Sequence, residues 1–117
     1  MLMSDLLEEG LRAFNEGRFY DAHEIWEDLW RATPDVATRR FYQGLIQAAV
    51  GLHHLSQGNR IGAGSQLGKS VGNLETGDGS ESGLDIGGIV IELRQLRQSL
   101  ESDSAITPRI PRIARLQ

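Results

Sequence analysis

One short segment of the chain combines a histidine with acids and tryptophans at helical spacing. In DAHEIWEDLW, residues 21–30, His23 and Glu27 stand four positions apart, so a helix would place them side by side. Two such groups can bind one divalent metal ion together, or the carboxylate can orient the imidazole for proton transfer. The same pair can instead be a hydrogen bond that closes the edge of a hydrophobic core. The spacing therefore gives His23 and Glu27 as candidates for catalysis.

The helical positions of this segment divide it into a buried side and a solvated side. At about 100° per residue, the apolar side chains fall within one arc that is expected to face the core. These are Phe19, Ala22, Ile25, Trp26, Leu29 and Trp30. His23 and Glu27 lie along one edge of the arc, Glu24 lies on the polar side, and Asp21 and Asp28 lie farthest from the arc. The acids therefore differ, and Glu27 is the one placed beside the core.

Polar partners for the His–Glu pair are expected from the next helix, which contains FYQGLIQAAVGLHH. Gln43, Gln47 and His54 share one polar stripe of that helix, whereas His53 lies on its apolar flank. If the two helices form an antiparallel hairpin that turns near residues 33–35, the glutamines lie level with the His–Glu pair. We therefore predict a polar network where the two helices meet. Its members are His23, Glu27, Trp30, Gln43, Gln47 and His53.

A metal site would need a third ligand besides His23 and Glu27. His53 is the candidate, but along the hairpin it lies roughly 10 Å beyond His23. A site of His23, Glu27 and His53 therefore requires a steep crossing of the helices, or His53 of the partner subunit. We expect no cofactor, and a divalent metal at these residues is the alternative.

The remaining pattern indicates an all-α protein of about five helices in antiparallel hairpins that form a small bundle. A first helix over residues 4–16 would have Ser4 as its N-cap, a second would span residues 19–32, and a third residues 36–57. A fourth follows the N-cap Asn59. Its apolar positions are Ile61, Leu67, Val71 and Leu74. A fifth has apolar positions from Ile86 to Leu100. Gly44 and Gly51 form a small-residue strip on the third helix, where another helix can approach closely.

Two segments outside the helices have distinct compositions. The stretch ETGDGSESG predicts a flexible loop at about residues 75–84. The proline-punctuated end of the chain predicts an extended C-terminal arm, about residues 105–117, packed on a neighbouring surface. Residues 1–117 are expected to form a single helical domain.

Composition narrows the class of protein. The hydrophobic content of 39% and the charged content of 24% are those of a soluble globular protein. A net charge of −4 argues against nucleic acid and anionic membranes as partners. Apolar runs such as LIQAAVGL are far shorter than the roughly 20 residues of a membrane span. The absence of cysteine excludes disulfides and thiolate chemistry, and a cytoplasmic location is expected.

Three motifs together resemble a known family. GRFYDAHEIWEDLW, followed by FYQGLIQAAVGLHH and GNRIGAGSQL, is similar to the pattern of the small bacterial and archaeal family called domain of unknown function 309. The similarity covers about residues 11–74. It implies a small all-helical domain, and it brings no settled activity. It also implies that Glu24 belongs to the family pattern, although packing alone would not require an acid there.

Two functions remain open on this basis. The first is a non-catalytic helical domain in which the polar network fixes the packing of the second and third helices, and which acts as a homo-oligomer or binds another protein. Half-buried polar groups must find partners, and such a network provides them. The alternative is a metal-dependent hydrolase-like or metal-binding protein that uses His23 and Glu27 with Glu24, Gln43 or His53.

Overall fold

The architecture is an all-α bundle of five helices. The computed structural model describes residues 2–102 and 109–116, and no strand longer than a single bridge occurs among them. The helices are α1 (Met3–Asn15), α2 (Phe19–Ala32), α3 (Val36–Ser56), α4 (Arg60–Thr76) and α5 (Ile86–Glu101). Each helix packs against the next one along the chain, as the short connections require.

Local capping sets the start of three of these helices. The side chains of Asp35, Asn59 and Asp85 each accept a hydrogen bond from the backbone N–H three residues later, at the starts of α3, α4 and α5. The prediction of Ser4 as the first N-cap is wrong. Helix α1 begins at Met3 after Leu2, so Ser4 lies inside the first turn and does not cap it.

The core lies between successive helices, because α1 packs on α2, α2 on α3, α3 on α4, and α4 on α5. Trp26 is fully buried at the centre of the α1–α2 contact, where its indole N–H donates to the carbonyl of Leu7. Ile61 departs from the predicted apolar face of α4, because 90% of its surface is exposed in the first turn of the helix. None of the described helices combines the length and apolar character needed to cross a bilayer.

Helices α3 and α4 approach each other closely at the predicted small-residue strip. The hydroxyl of Ser70, fully buried on α4, donates to the carbonyl of Gly44 on α3 at 2.6 Å. Gly51 faces the side chain of Leu67 in the same contact. Glycine permits this approach because it has no Cβ to separate the backbones.

The connection between α4 and α5 begins later than predicted. Residues 75 and 76 belong to α4, so the connection occupies 77–85. Its backbone contacts the bundle: the N–H of Asp78 donates to the carbonyl of Ala37, and Leu84 is 1% exposed. The connection thus supplies part of the core.

The C-terminal arm is extended over residues 109–116 and packs against the helices of the same chain. Asn15 holds it from the end of α1, because its side chain both donates to the carbonyl of Ile113 and accepts from the N–H of the same residue, each at 2.9 Å. Ile113 is buried, and Arg115 forms an ion pair with Glu8. Residues 105–108 and 117 of the predicted arm lie outside the described residues.

Candidate functional site

His23 and Glu27 form the expected pair on one edge of α2. Imidazole Nε2 lies 2.8 Å from Glu27 Oε1, and an ionised carboxylate accepts this bond from the imidazole N–H. The other oxygen, Oε2, accepts from Arg31 Nη2 at 3.3 Å. Arg31 also reaches Asp28 at 3.0 Å. Both oxygens of the Glu27 carboxylate are therefore occupied by donors from its own helix.

The glutamines of α3 do not complete this pair as the sequence predicts. Gln47 Oε1 accepts a hydrogen bond of 2.7 Å from Asn73 Nδ2 on α4, so its amide is directed across the α3–α4 contact. Gln43 forms no hydrogen bond with His23 or Glu27 within the described residues. The predicted network is thus divided into a His–Glu–Arg cluster on α2 and a Gln–Asn pair between α3 and α4.

Tyr20 links the two histidines that the sequence places at different levels. Its ring centroid lies 5.6 Å from that of His23 and 5.5 Å from that of His53. The phenol ring is about half exposed, so these contacts lie at the surface. His54, the next residue along α3, lies beside the turn between α3 and α4, with Nδ1 3.4 Å from Asn59 Nδ2.

The candidate metal ligands do not converge. Across residues 2–102 and 109–116, no group of three or more His, Cys, Asp or Glu side chains has the arrangement of a metal site. The ring of Tyr20 contacts both His23 and His53, and Glu24 is exposed on the polar side of α2. The donor set around His23 therefore consists of one imidazole and one carboxylate that is already paired with Arg31.

A cleft that the sequence reasoning did not predict lies at the end of the α2–α3 hairpin. It has a volume of about 300 Å³, and we call it the Trp30 cleft. It is lined by Trp30 from α2, by Val36, Arg39, Arg40 and Gln43 from α3, and by Asn73 from α4. The guanidinium carbon of Arg39 lies 4.0 Å from the centroid of the Trp30 ring, a cation–π contact. Arg39 Nε is buried and has no hydrogen-bond partner within the described residues.

Part of this cleft is predictable from the amino-acid sequence. Trp30 and Arg39 are equally far from a turn centred between residues 34 and 35, so the hairpin places them at the same level. Arg39 and Gln43 are four positions apart and share a face of α3. The contribution of Asn73 is not predictable from the sequence, because it depends on how α4 packs against α3.

A hollow on the opposite side of α3 is lined by the acids Asp35, Asp78 and Glu81. Two of these acids form hydrogen bonds within their own turns. Hydrogen bonds from the hydroxyl and the N–H of Thr38 hold the pKa of Asp35 below its ordinary value. The hydroxyl and N–H of Ser80 lower the pKa of Asp78 in the same way. Burial, with a smaller contribution from the charge of Glu81, raises the pKa of Tyr42. These carboxylates stabilise a helix start and a turn.

Comparison with known proteins identifies the family. The model of the family described as Domain of unknown function (DUF309) matches residues 7–65. This chain belongs to the DUF309 family. The matched segment begins earlier and ends earlier than the expected 11–74, and it contains most of α1, all of α2 and α3, and the start of α4.

Two bacterial relatives of this DUF309 chain are themselves uncharacterised. An uncharacterised protein of Aquifex aeolicus (strain VF5) is 43% identical over 56 residues, which are 48% of this chain and 17% of that protein. The uncharacterised protein YpuF of Bacillus subtilis (strain 168) is 29% identical over 89 residues, 74% of this chain and 51% of YpuF. The chain thus spans about half of YpuF, and a smaller part of the Aquifex protein.

The DUF309 match includes most of the site. His23, Glu27, Trp30 and every α3 residue of the Trp30 cleft lie within residues 7–65, and Asn73 lies beyond them. The family segment therefore contains both the His–Glu–Arg cluster and most of the cleft.

Proposed function

We propose that this chain is a non-catalytic helical domain that acts by binding a polypeptide, either a second copy of itself or another protein. The binding surface is the edge of the α2–α3 hairpin, which runs from Tyr20 past His23 to the Trp30 cleft. The observation that carries the proposal is the occupation of both Glu27 oxygens by His23 and Arg31. A carboxylate held by two donors of its own helix fixes the shape of the surface, and these bonds would have to be exchanged before Glu27 could bind a metal ion.

The composition of this edge supports recognition of a protein. Tyr20 is 53% exposed, Val36 is 70% exposed, and Trp30 is half-buried beneath the guanidinium of Arg39. Tyrosine, tryptophan and arginine are enriched at protein interfaces, where they provide large contact areas with few rotatable bonds. An exposed valine beside them adds apolar area that a partner would cover.

Substitution of the His–Glu pair should alter stability and leave the metal content unchanged. We expect His23→Ala and Glu27→Gln each to lower the free energy of unfolding by about 0.5–1 kcal/mol, because the first removes a partly exposed hydrogen bond and the second takes away the charge that strengthens it. Thermal unfolding, followed by circular dichroism, measures this change. Metal analysis of untagged wild-type protein and of His23→Ala is the companion measurement. Stoichiometric metal in the wild type that is lost in His23→Ala would contradict the proposal and support the hydrolase-like alternative.

Self-association through this edge is testable by charge insertion. If the partner is a second copy, we expect sedimentation equilibrium to show concentration-dependent dimers that Val36→Glu weakens at least tenfold, because it replaces apolar contact area with a carboxylate that must lose its water on association. Ile61→Glu is the matched control, since Ile61 is 90% exposed on α4, away from the edge. If both substitutions weakened the dimer equally, the interface would not be the edge of the α2–α3 hairpin. A wild-type monomer at all concentrations would contradict the homo-oligomer.

A further inference from the structure

The Trp30 cleft carries positive charge on an acidic protein. Arg39 and Arg40 form no ion pair with the described residues, whereas Arg31, near the end of α2, is paired with Glu27 and Asp28. The indole of Trp30 holds the Arg39 guanidinium in one orientation, and burial of Nε removes water from one side of it. A guanidinium that is fixed and partly desolvated binds an anion with less loss of entropy than a free one.

The other walls of the cleft provide amides and apolar surface. Asn73 Nδ2 donates to Gln47 Oε1, so the carbonyl oxygen of Asn73 is left as an acceptor. Gln43 adds an amide that can donate and accept. Trp30 and Val36 form the apolar part, and 70% of the Val36 surface is exposed. The cleft thus offers cationic donors, amide acceptors and an apolar wall within about 300 Å³.

We infer that the Trp30 cleft binds the C-terminal carboxylate of a partner polypeptide whose last side chain is apolar. A chain terminus presents its carboxylate, a backbone N–H and a side chain on neighbouring atoms, and these match the guanidinium groups, the amide acceptors and the apolar wall. Arginine binds carboxylates through two parallel hydrogen bonds, which gives direction as well as affinity. The volume suits the last one or two residues of a peptide. The inference rests on the proposed function, because it specifies the chemistry of the partner at the same edge.

The two tryptophans provide the measurement and its internal control. The full chain, labelled with ¹⁵N, is titrated with N-acetyl-Ala-Ala-Leu as the free acid and, separately, as its C-terminal amide. We expect the free acid to shift the indole N–H signal of Trp30 in a saturable way. The indole of Trp26 should remain unchanged, because it is fully buried and bonded to Leu7. The amide should bind at least tenfold more weakly, since it lacks the charge that pairs with guanidinium.

Arginine substitutions test which charges are responsible. We expect Arg39→Gln and Arg40→Gln each to weaken binding of the free acid about tenfold or more. Arg40 is exposed, so its substitution keeps the test valid if Arg39→Gln does not fold. Arg94→Gln removes the same charge on α5, where Arg94 pairs with Glu75, and should leave the affinity unchanged.

Several results would overturn the inference. Equal affinity for acid and amide would show that the carboxylate is not recognised, and an unshifted Trp30 signal would show that the cleft does not bind the peptide. Inorganic phosphate that shifts Trp30 at lower concentration than the free acid would assign the cleft to another anion. Metal bound through His23 would contradict the proposed function but would not change the peptide titration at Trp30. Failure of the proposed function can therefore be distinguished from failure of the inference about the cleft.

Discussion

Trp26→Ala is expected to lower the free energy of unfolding by about 3–5 kcal/mol, the range for removal of a large buried aromatic side chain. Trp26 is 0% exposed, and its ring centroid lies 5.8 Å from that of Phe14 on α1. Its indole N–H donates to the carbonyl of Leu7, which would lose this partner. Helix α1 meets the indole at Gly10, where even a methyl group would overlap the ring. The neighbouring backbone is therefore shaped around the indole, and collapse into the cavity is hindered.

Trp30→Ala is the matched control, because it removes the same side chain one turn later on the same helix. Trp30 is half-buried in the wall of the cleft, so its loss is expected to cost about 1–2 kcal/mol, from partial burial and the contact with Arg39. Urea unfolding followed by circular dichroism gives both values. Equal costs for the two substitutions would contradict the division between a structural and a surface tryptophan.

The helices were predictable where local chemistry sets them. Helix α2 has the predicted bounds, because Gly17 adopts φ +83° before it and the residue preceding Pro34 is biased away from helical angles after it. The start of α3 was predictable for a similar reason, since Asp35 caps it. The start of α1 was not, because that helix has no side-chain cap for the sequence to reveal.

Contacts between distant helices were less predictable. The helical positions of Ile25 and Trp30 predict that both are buried, but both are only partly buried, because a helical wheel does not show where the covering helices end. The position of Gln47 along the hairpin predicts that it contacts the His–Glu pair. Its actual partner, Asn73, comes from α4, whose rotation about α3 depends on contacts far apart in sequence. The His23–Glu27 bond was predictable because its four-residue spacing is local.

Gly44→Ala is expected to destabilise the protein even though alanine is the better helix former. An added Cβ would lie 2.8 Å from the Cγ of Leu74 and 2.9 Å from its backbone N. The side chain can rotate away, but the backbone cannot move unless α4 separates from α3. That separation would also lengthen the hydrogen bond from Ser70 to the Gly44 carbonyl. Overpacking of this kind costs about 1–3 kcal/mol, which exceeds the gain in helix propensity of about 1 kcal/mol or less.

Gly72→Ala on α4 measures the effect of helix propensity alone, because no other described part of the fold lies within 4 Å of a Cβ at this exposed position. It should raise the free energy of unfolding by about 0.4–1 kcal/mol. Urea unfolding of both variants would then give changes of opposite sign from the same chemical substitution. If Gly44→Ala stabilised the protein as Gly72→Ala does, the close approach of α3 and α4 would be incorrect. The position of Asn73 in the Trp30 cleft depends on that approach, so this comparison also tests the cleft without any ligand.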